Sequence, residues 1–164
     1  MAVAGIIAAA VGVMLLIVVG YVVVGATITT AETVTSAQKD VTLQNEIRLG
    51  TAFNITDPQK SISNITSIVS ITANISNTGN EIISDFRHMD VIVYDSGTND
   101  YHICTYDASG NPGTWDITNH YQDFIHPSEL DPGEKYQIRV ATMGSSPYWF
   151  QITTSNGVYA SAYV

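Results

Sequence analysis

Four histidines are the side chains best suited to metal binding or proton transfer in this sequence. They are His88, His102, His120 and His126. The tightest group joins His120 and His126 through Asp123, but this spacing matches no established zinc pattern, and the single cysteine, Cys104, lies outside it. We therefore expect scattered histidines on the surface of a β-domain, with no metal site and no cofactor.

The segment at residues 95–100, DSGTND, superficially resembles a calcium-binding loop. It lacks the glycine at the sixth position and the closing glutamate at the twelfth that an EF-hand loop uses, so an ordinary Asp/Gly turn is predicted. The chain also contains no Gly-x-Ser-x-Gly motif, no glycine-rich phosphate loop and no Cys/His pair in a recognisable context. We predict that it is not an enzyme.

Three N-x-[ST] sequons begin at Asn54, Asn64 and Asn74, ten residues apart. Such tripeptides also arise by chance in a chain rich in Asn and Thr. Three in regular succession favour N-glycosylation of a surface segment in an exported protein.

The charge balance is strongly acidic, with a formal net charge of -9. Between residues 61 and 134 the one cation is Arg87, set against eleven acidic residues. Nucleic-acid affinity comes mainly from Lys and Arg that displace counterions from phosphates, so nucleic-acid binding is excluded. With one cysteine no internal disulfide can form, and packing must hold the domain together.

The N-terminal segment is apolar enough to be buried in lipid or in protein. Residues 2–28 carry no charged side chain and would extend about 40 Å as a helix, more than the roughly 30 Å of a bilayer core. No Lys or Arg precedes the segment, so it is interpreted as retained rather than as a cleaved signal. Helical spacing continues through Val34, Ala37 and Val41 towards a stop at Gly50. Residues 1–50 are therefore predicted to form one helix, a filament core or a membrane anchor.

Small residues follow the helix at steps of four and eight. They are Ala4, Ala8, Gly12 and Gly20. Small side chains allow the backbones of neighbouring apolar helices to approach, which predicts a helix-packing stripe. The alternative is the ordinary Gly and Ala content of membrane helices.

Residues 51–164 show the short apolar runs and the turn residues of an all-β domain. The clearest strand is residues 67–76, with Val69, Ile71, Ala73 and Ile75 on its buried face. Further strands are expected at residues 89–94, 101–106, 135–142, 148–154 and 158–164, with a hairpin turn at Asn156-Gly157. In the strand at 148–154, Tyr148, Phe150 and Ile152 are expected to point inward. The predicted fold class is α+β: a long hydrophobic helix, then an immunoglobulin-like sandwich.

Four short motifs in this arrangement resemble the archaellin superfamily. They are GYVVVGATITT at 20–30, AQKD at 37–40, Asn-Thr-Gly at 77–79 and LDPGE at 130–134. That superfamily includes archaellins, archaeal type IV pilin-like subunits and archaellum stator accessory proteins. Position 5 is glycine rather than the glutamate of bacterial pilins.

The resemblance implies two functions. The first is a structural subunit of an archaeal surface filament for motility or adhesion. It would be inserted in the membrane before assembly into a helical homopolymer of identical subunits. The alternative is a membrane-anchored stator accessory protein whose β-domain binds the surface layer. The filament subunit is the expected function, although no basic leader precedes Met1, and an unprocessed start would favour the stator type.

Overall fold

The chain divides into two compact units, one ending at Gln44 and one from Asn45 to Val164. The computed structural model describes residues 2–63, 68–121, 123 and 125–164, with the backbone alone for Ala2. The last helical residues belong to the second unit because Thr51 donates its backbone N–H and its hydroxyl to the Ile47 carbonyl, at 3.0 and 2.8 Å. The boundary after residue 50 between two separate domains stays a prediction.

One continuous helix, α1, runs from Ala2 to Gly50 over 49 residues, which confirms the expected long helix. Threonine usually competes with helical backbone, but here each of several hydroxyls donates to the carbonyl four residues earlier, at 2.8–3.0 Å. These residues are Thr27, Thr29, Thr30, Thr33, Thr35 and Thr42. The hydroxyls are satisfied inside the helix, so the threonine-rich segment remains helical and compatible with an apolar environment. By length and composition α1 can cross a membrane.

Besides the end of α1, the described part of the second unit contains eight strands and a short 3₁₀ helix at Phe86–His88, which confirms the α+β class. The strands are β1 Phe53–Ile62, β2 Val69–Asn77, β3 Asp90–Asp95, β4 Asp100–Tyr106, β5 Thr114–Tyr121, β6 Lys135–Ala141, β7 Pro147–Thr153 and β8 Tyr159–Tyr163. Their order is β1-β2-β6-β5-β4-β3-β7-β8, and all pairs are antiparallel except β4 with β5. One half of the sheet comprises β1, β2, β6 and β5, and the other comprises β4, β3, β7 and β8. The inward faces of the two halves share one hydrophobic core.

The predicted alternation of buried and exposed residues is confirmed in β2 and β6. In β2 the residues Val69, Ile71, Ala73 and Ile75 are buried, and in β6 Tyr136, Ile138 and Val140 are buried. Gly157 adopts φ +81° in the hairpin before β8, as the Asn-Gly signal predicted. Residue 67 of the first predicted strand lies outside the described residues.

The inward orientation expected for Tyr148 is wrong. Phe150 and Ile152 are fully buried, but Tyr148 is exposed. The register between β3 and β7 shifts after Tyr94, where Asp95 pairs with Pro147. This irregularity breaks the two-residue alternation at the start of β7, because Tyr148 is an extra residue between Trp149 and Pro147 and has no partner on β3.

Two strands were not predicted from the sequence, β1 and β5. In β1, the residues Asp57 and Pro58 interrupt the pattern: Asp57 has φ 52°, and the register to β2 shifts between Thr56 and Gln59. In β5 only the first half is buried, and Trp115 there is 1% exposed. That tryptophan lies in the hydrophobic core.

Two of the short motifs meet at one junction beneath the β-domain. The buried Asn77 side chain donates its Nδ2 group to the carbonyls of Glu81 and Leu130, both at 2.8 Å, and accepts the Gly79 N–H at 3.0 Å. Its backbone carbonyl accepts the Gly133 N–H at 2.9 Å. The Asn-Thr-Gly and LDPGE segments therefore form a single hydrogen-bonded unit.

The same junction receives the end of the helix. The Gly50 carbonyl accepts the N–H groups of Asn80 and Glu81, and the Ala52 carbonyl accepts that of Gly79 at 2.9 Å. A Cβ on Gly79 would lie 2.4 Å from both the Ala52 nitrogen and the Gly50 oxygen. Only glycine fits there, because the neighbours are backbone atoms with no freedom to move.

Replacing Asn77 with alanine should destabilise the domain by roughly 1 to 3 kcal/mol, since the Glu81 carbonyl would lose its side-chain donor and the Leu130 carbonyl would keep only the Ile83 N–H. The matched control is Asn119→Ala, an exposed asparagine on β5, which should stay within about 0.5 kcal/mol. Urea unfolding of the full chain in mild detergent, followed by the fluorescence of buried Trp115, measures both. Equal midpoints for the two variants would contradict the role given to Asn77.

Candidate functional site

The four histidines occupy four separate environments. The Nδ1 atom of His88 lies 2.7 Å from an Asp85 carboxylate oxygen, and His102 is half-buried on β4. The ring centroids of His120 and Tyr136 lie 4.4 Å apart in a T-shaped arrangement. Within residues 2–63, 68–121, 123 and 125–164, no group of three or more His, Cys, Asp or Glu residues could hold a metal ion. In the suggested trio, Asp123 instead accepts the Ser128 N–H, at 2.8 Å.

The strongest histidine contact is that of His126 with the buried Asp131 of the LDPGE segment. The Nδ1 atom of His126 lies 2.8 Å from one carboxylate oxygen, and its backbone N–H donates to the other at 3.1 Å. The hydrogen bond and the charge of Asp131 raise the pKa of His126 above its ordinary value. The pair fixes the loop before β6, and this is a structural role.

The DSGTND segment is the hairpin between β3 and β4, with Asp95 paired to Asp100. Asp95 is fully buried, and its carboxylate accepts the N–H groups of Gly97, Thr98 and Ser146 at 2.7–3.0 Å. Burial by itself would raise the pKa of Asp95, but these three donors outweigh it and hold the pKa below the ordinary value. The carboxylate organises a turn.

The described sequons face each other across β1 and β2. Asn54 pairs with Ser76, and Thr56 pairs with Asn74. Asn54 is exposed, whereas Asn74 is half-buried and donates its amide to the Asp57 carboxylate at 3.2 Å. The third sequon asparagine, Asn64, lies outside the described residues. Asn54 is therefore the most accessible of the described acceptors, and glycosylation stays a prediction.

The small residues of α1 are all exposed along the helix, and a Cβ on Gly12 or Gly20 would meet nothing within 4 Å. A straight helix turns about 100° per residue, so Ala4, Ala8 and Gly12 span about 80° of its circumference. Gly20 falls about 160° from Ala4. The helix-packing stripe stays a prediction, and only its first three members can share one face.

A more distinctive surface covers the outer side of β4, β3, β7 and β8. Tyr101, Tyr94, Trp149 and Tyr163 are consecutive cross-strand partners, so they form one row across all four strands. A second row, Ile103, Ile92, Gln151 and Ser161, lies two residues further along. We call these two rows, together with Tyr148 beside Tyr163, the aromatic face.

Four side chains of the aromatic face are more than half exposed, and Tyr94 and Trp149 between them are partly buried. Tyr101 is 63% exposed, Ile103 62% and Tyr163 67%. The rings contact one another, with centroids 5.0 Å apart for Tyr94 and Tyr101 and 5.4 Å apart for Tyr148 and Tyr163. Five of them line a shallow groove of about 390 Å³. Contiguous exposed apolar surface of this kind marks interaction sites in soluble proteins.

The outer side of the other half of the sheet has a different chemistry. There Asp116 and Arg139 form a two-point ion pair between β5 and β6, with N–O distances of 3.0 and 2.7 Å. Neither row of the aromatic face contains a charged residue. This contrast gives the domain one distinct candidate binding surface.

Sequence reasoning missed this surface because it followed the buried phase of each strand. A usable signal was present, since Tyr94, Tyr101 and Tyr163 occupy the phase where a solvated strand carries polar residues. What the sequence lacked was the strand order that lines these residues up.

Two solved structures resemble this fold. The archaellum periplasmic stator protein FlaG from Sulfolobus acidocaldarius is 22% identical with a TM-score of 0.50, covering 70% of this chain and 99% of that chain. The archaellum periplasmic stator protein complex FlaF and FlaG from the same organism matches at 23% identity and a TM-score of 0.49, covering 68% and 87%. No family model matches the sequence, and no curated protein matches it. At this level of identity the similarity shows that this chain shares the fold of the FlaG protein.

The contact of His126 with Asp131 generates a pH prediction. In an NMR titration His126 should have a pKa above the ordinary value of about 6.5, and Asp131→Asn should bring it back towards that value. Because the folded pKa is the higher one, the pair's contribution to stability is complete below about pH 6.5 and is lost as pH rises through the folded pKa. Asp100→Asn, in another turn, is the control and should leave the His126 titration unchanged. An unshifted His126 in the unmodified protein would refute the pairing.

Proposed function

We propose that this chain is a membrane-anchored accessory protein of the archaellum-stator type, which acts in the cell envelope of an archaeon. The observation that supports the proposal most is the similarity of fold to the archaellum periplasmic stator protein FlaG, 99% of which aligns with this chain. This similarity favours the stator alternative over the filament subunit that the sequence alone suggested.

The helix supplies the anchor. Its first charged residue is Glu32, so about 30 residues are available for a bilayer that needs roughly 20. The remaining polar half of α1 then lies outside the hydrocarbon core, since Glu32, Lys39, Asp40 and Glu46 would be costly within it. The second unit follows on the same side of the membrane as these charges.

The β-domain acts by binding and not by catalysis. Its buried polar groups are used internally: Asn77 and Asp95 both satisfy backbone groups, and Asp131 holds His126. The surface that stands apart is the aromatic face, which offers contact area and no reactive group. A surface-layer protein or another archaellum component is the kind of partner that an anchored stator protein would hold.

The filament and stator functions place the helix in different surroundings. In a filament, Gly12→Leu would put a branched side chain against neighbouring helices, where overpacking typically costs about 1 to 3 kcal/mol per subunit. In lipid the leucine is as apolar as the acyl chains around it. We expect Gly12→Leu to leave membrane retention and swimming unchanged, and Gly12→Arg, the matched control, to reduce retention.

Cell fractionation with a tagged full-length chain makes the distinction. The protein should be recovered with membranes, and filaments sheared from the same cells should not contain it. Recovery of the chain as a repeating component of sheared filaments, lost in Gly12→Leu, would overturn the stator proposal and restore the filament subunit.

N-glycosylation of the envelope-exposed domain is a second part of the proposal. The native protein should exceed the chain mass of 17.7 kDa, and Asn54→Gln should remove part of the excess. Asn74→Gln should remove less, because the Asn74 amide is already bonded to Asp57. Intact mass spectrometry of protein from the source cells measures this, with Asn119→Gln as the control outside any sequon. An unmodified native mass would end the glycosylation proposal.

A further inference from the structure

We propose that the aromatic face is the docking surface for a different protein, one whose contact area has an apolar centre and a rim of Lys and Arg side chains. This inference rests on the proposed function only in placing the domain among other envelope proteins. It adds which surface binds and what chemistry the bound surface must have.

The size of the aromatic face suits a protein partner. A buried aromatic side chain contributes roughly 150–250 Å², so five rings that are about half exposed offer roughly 500 Å². A stable interface needs about 800 Å² from each partner. The aromatic face therefore supplies the apolar centre of a standard interface, and its surroundings must supply the rest.

The charged side chains around the aromatic face are all acidic. The strands and turns of this half of the sheet, residues 90–107 and 147–164, contain Asp90, Asp95, Asp100 and Asp107 and no Lys or Arg. Asp90 and Asp100 are exposed next to the aromatic face, on β3 and β4. A partner that covers this rim gains from cationic side chains opposite the two carboxylates, both in encounter rate and in specificity.

The same charges argue against a second copy as the occupant. Two copies meeting through this face would bring together chains of net charge -9, and neither copy offers a cation in this region to pair with Asp90 or Asp100. Like charges placed opposite each other in an interface cost several kcal/mol. A heterologous protein avoids this cost.

The ring geometry favours a protein over a polysaccharide. An extended, flat polysaccharide surface stacks on aromatic rings that share a common plane. Here the ring planes are tilted by 44° between Tyr94 and Tyr101 and by 85° between Tyr101 and Trp149. Such a corrugated surface accepts side chains between its rings, as the centres of protein interfaces do. An anionic lipid surface would be repelled by the acidic rim.

Site-specific photo-cross-linking tests the proposal with the full-length chain in membranes of the source cells. Ser161→Cys places a thiol in the second row without removing any aromatic residue, and benzophenone maleimide then labels it. Cys104 is buried, and burial raises its pKa to about 11, so it stays unlabelled. We expect one cross-linked protein other than this chain, with the attachment mapped to a segment containing apolar residues and Lys or Arg.

Four sets of variants decide whether the aromatic face carries the contact. Tyr101→Ser with Tyr163→Ser should lower the cross-link yield at least about tenfold, as the loss of interface hot spots does. The matching phenylalanine substitutions should retain it. Tyr121→Ser, an exposed tyrosine on β5, should have no effect. Asp90→Lys with Asp100→Lys should also lower the yield, and added salt should do the same in the unmodified chain. Unchanged circular dichroism confirms that each variant is folded.

Several results would overturn the proposal. They are a cross-link to the chain itself, to lipid or to glycan, the absence of any cross-link, and a yield that survives the serine pair or increases with the lysine pair. If these occur while the chain still fractionates with membranes, the aromatic face is wrong and the stator proposal stands. Self-cross-links together with the chain in sheared filaments would overturn both.

Discussion

The side chain of Asn77 forms hydrogen bonds with three backbone groups at the base of the β-domain, and the arrangement of that base depends on it. Its amide donates to the Glu81 and Leu130 carbonyls, and its oxygen accepts the Gly79 N–H. Gly79 must in turn lie against the backbone at Gly50 and Ala52, where the helix ends. One buried polar residue thus fixes the turn after β2, the LDPGE segment before β6 and the start of the domain. Such fully satisfied networks specify a unique arrangement, because any slip leaves a buried carbonyl unpaired.

The polar groups that first suggested chemistry are used in the same structural way. Asp95 gathers three N–H groups in a hairpin, and Asp131 holds both the ring and the backbone of His126. A carboxylate whose oxygens are already occupied by backbone donors is poorly placed to bind a cation or to move a proton. We propose that the domain acts by recognition, through an exposed aromatic face beside acidic residues.

The helix and the β-domain impose different physical requirements on one chain. The helix keeps its threonine hydroxyls within its own backbone and carries no charge before Glu32, so lipid or apolar protein can surround it. The domain has no disulfide and relies on a core in which Trp115, Tyr136 and Phe150 are the largest buried side chains. The whole chain has a net charge of -9, and the proposed partner of the aromatic face would bring cations.

Sequence alone was enough to predict the helix, because a long uncharged run has only one way to satisfy its backbone in an apolar environment. It was also enough to predict β2 and β6, whose alternation is unbroken, and the hairpin at Gly157. It failed at Tyr148 and at β1, where a register shift and the Asp57-Pro58 pair break the two-residue period. The aromatic face was decided only by the tertiary structure. Tyr94 and Tyr101 lie in one pair of consecutive strands, and Trp149 and Tyr163 lie in another. The long-range pairing of β3 with β7 joins the two pairs into one row.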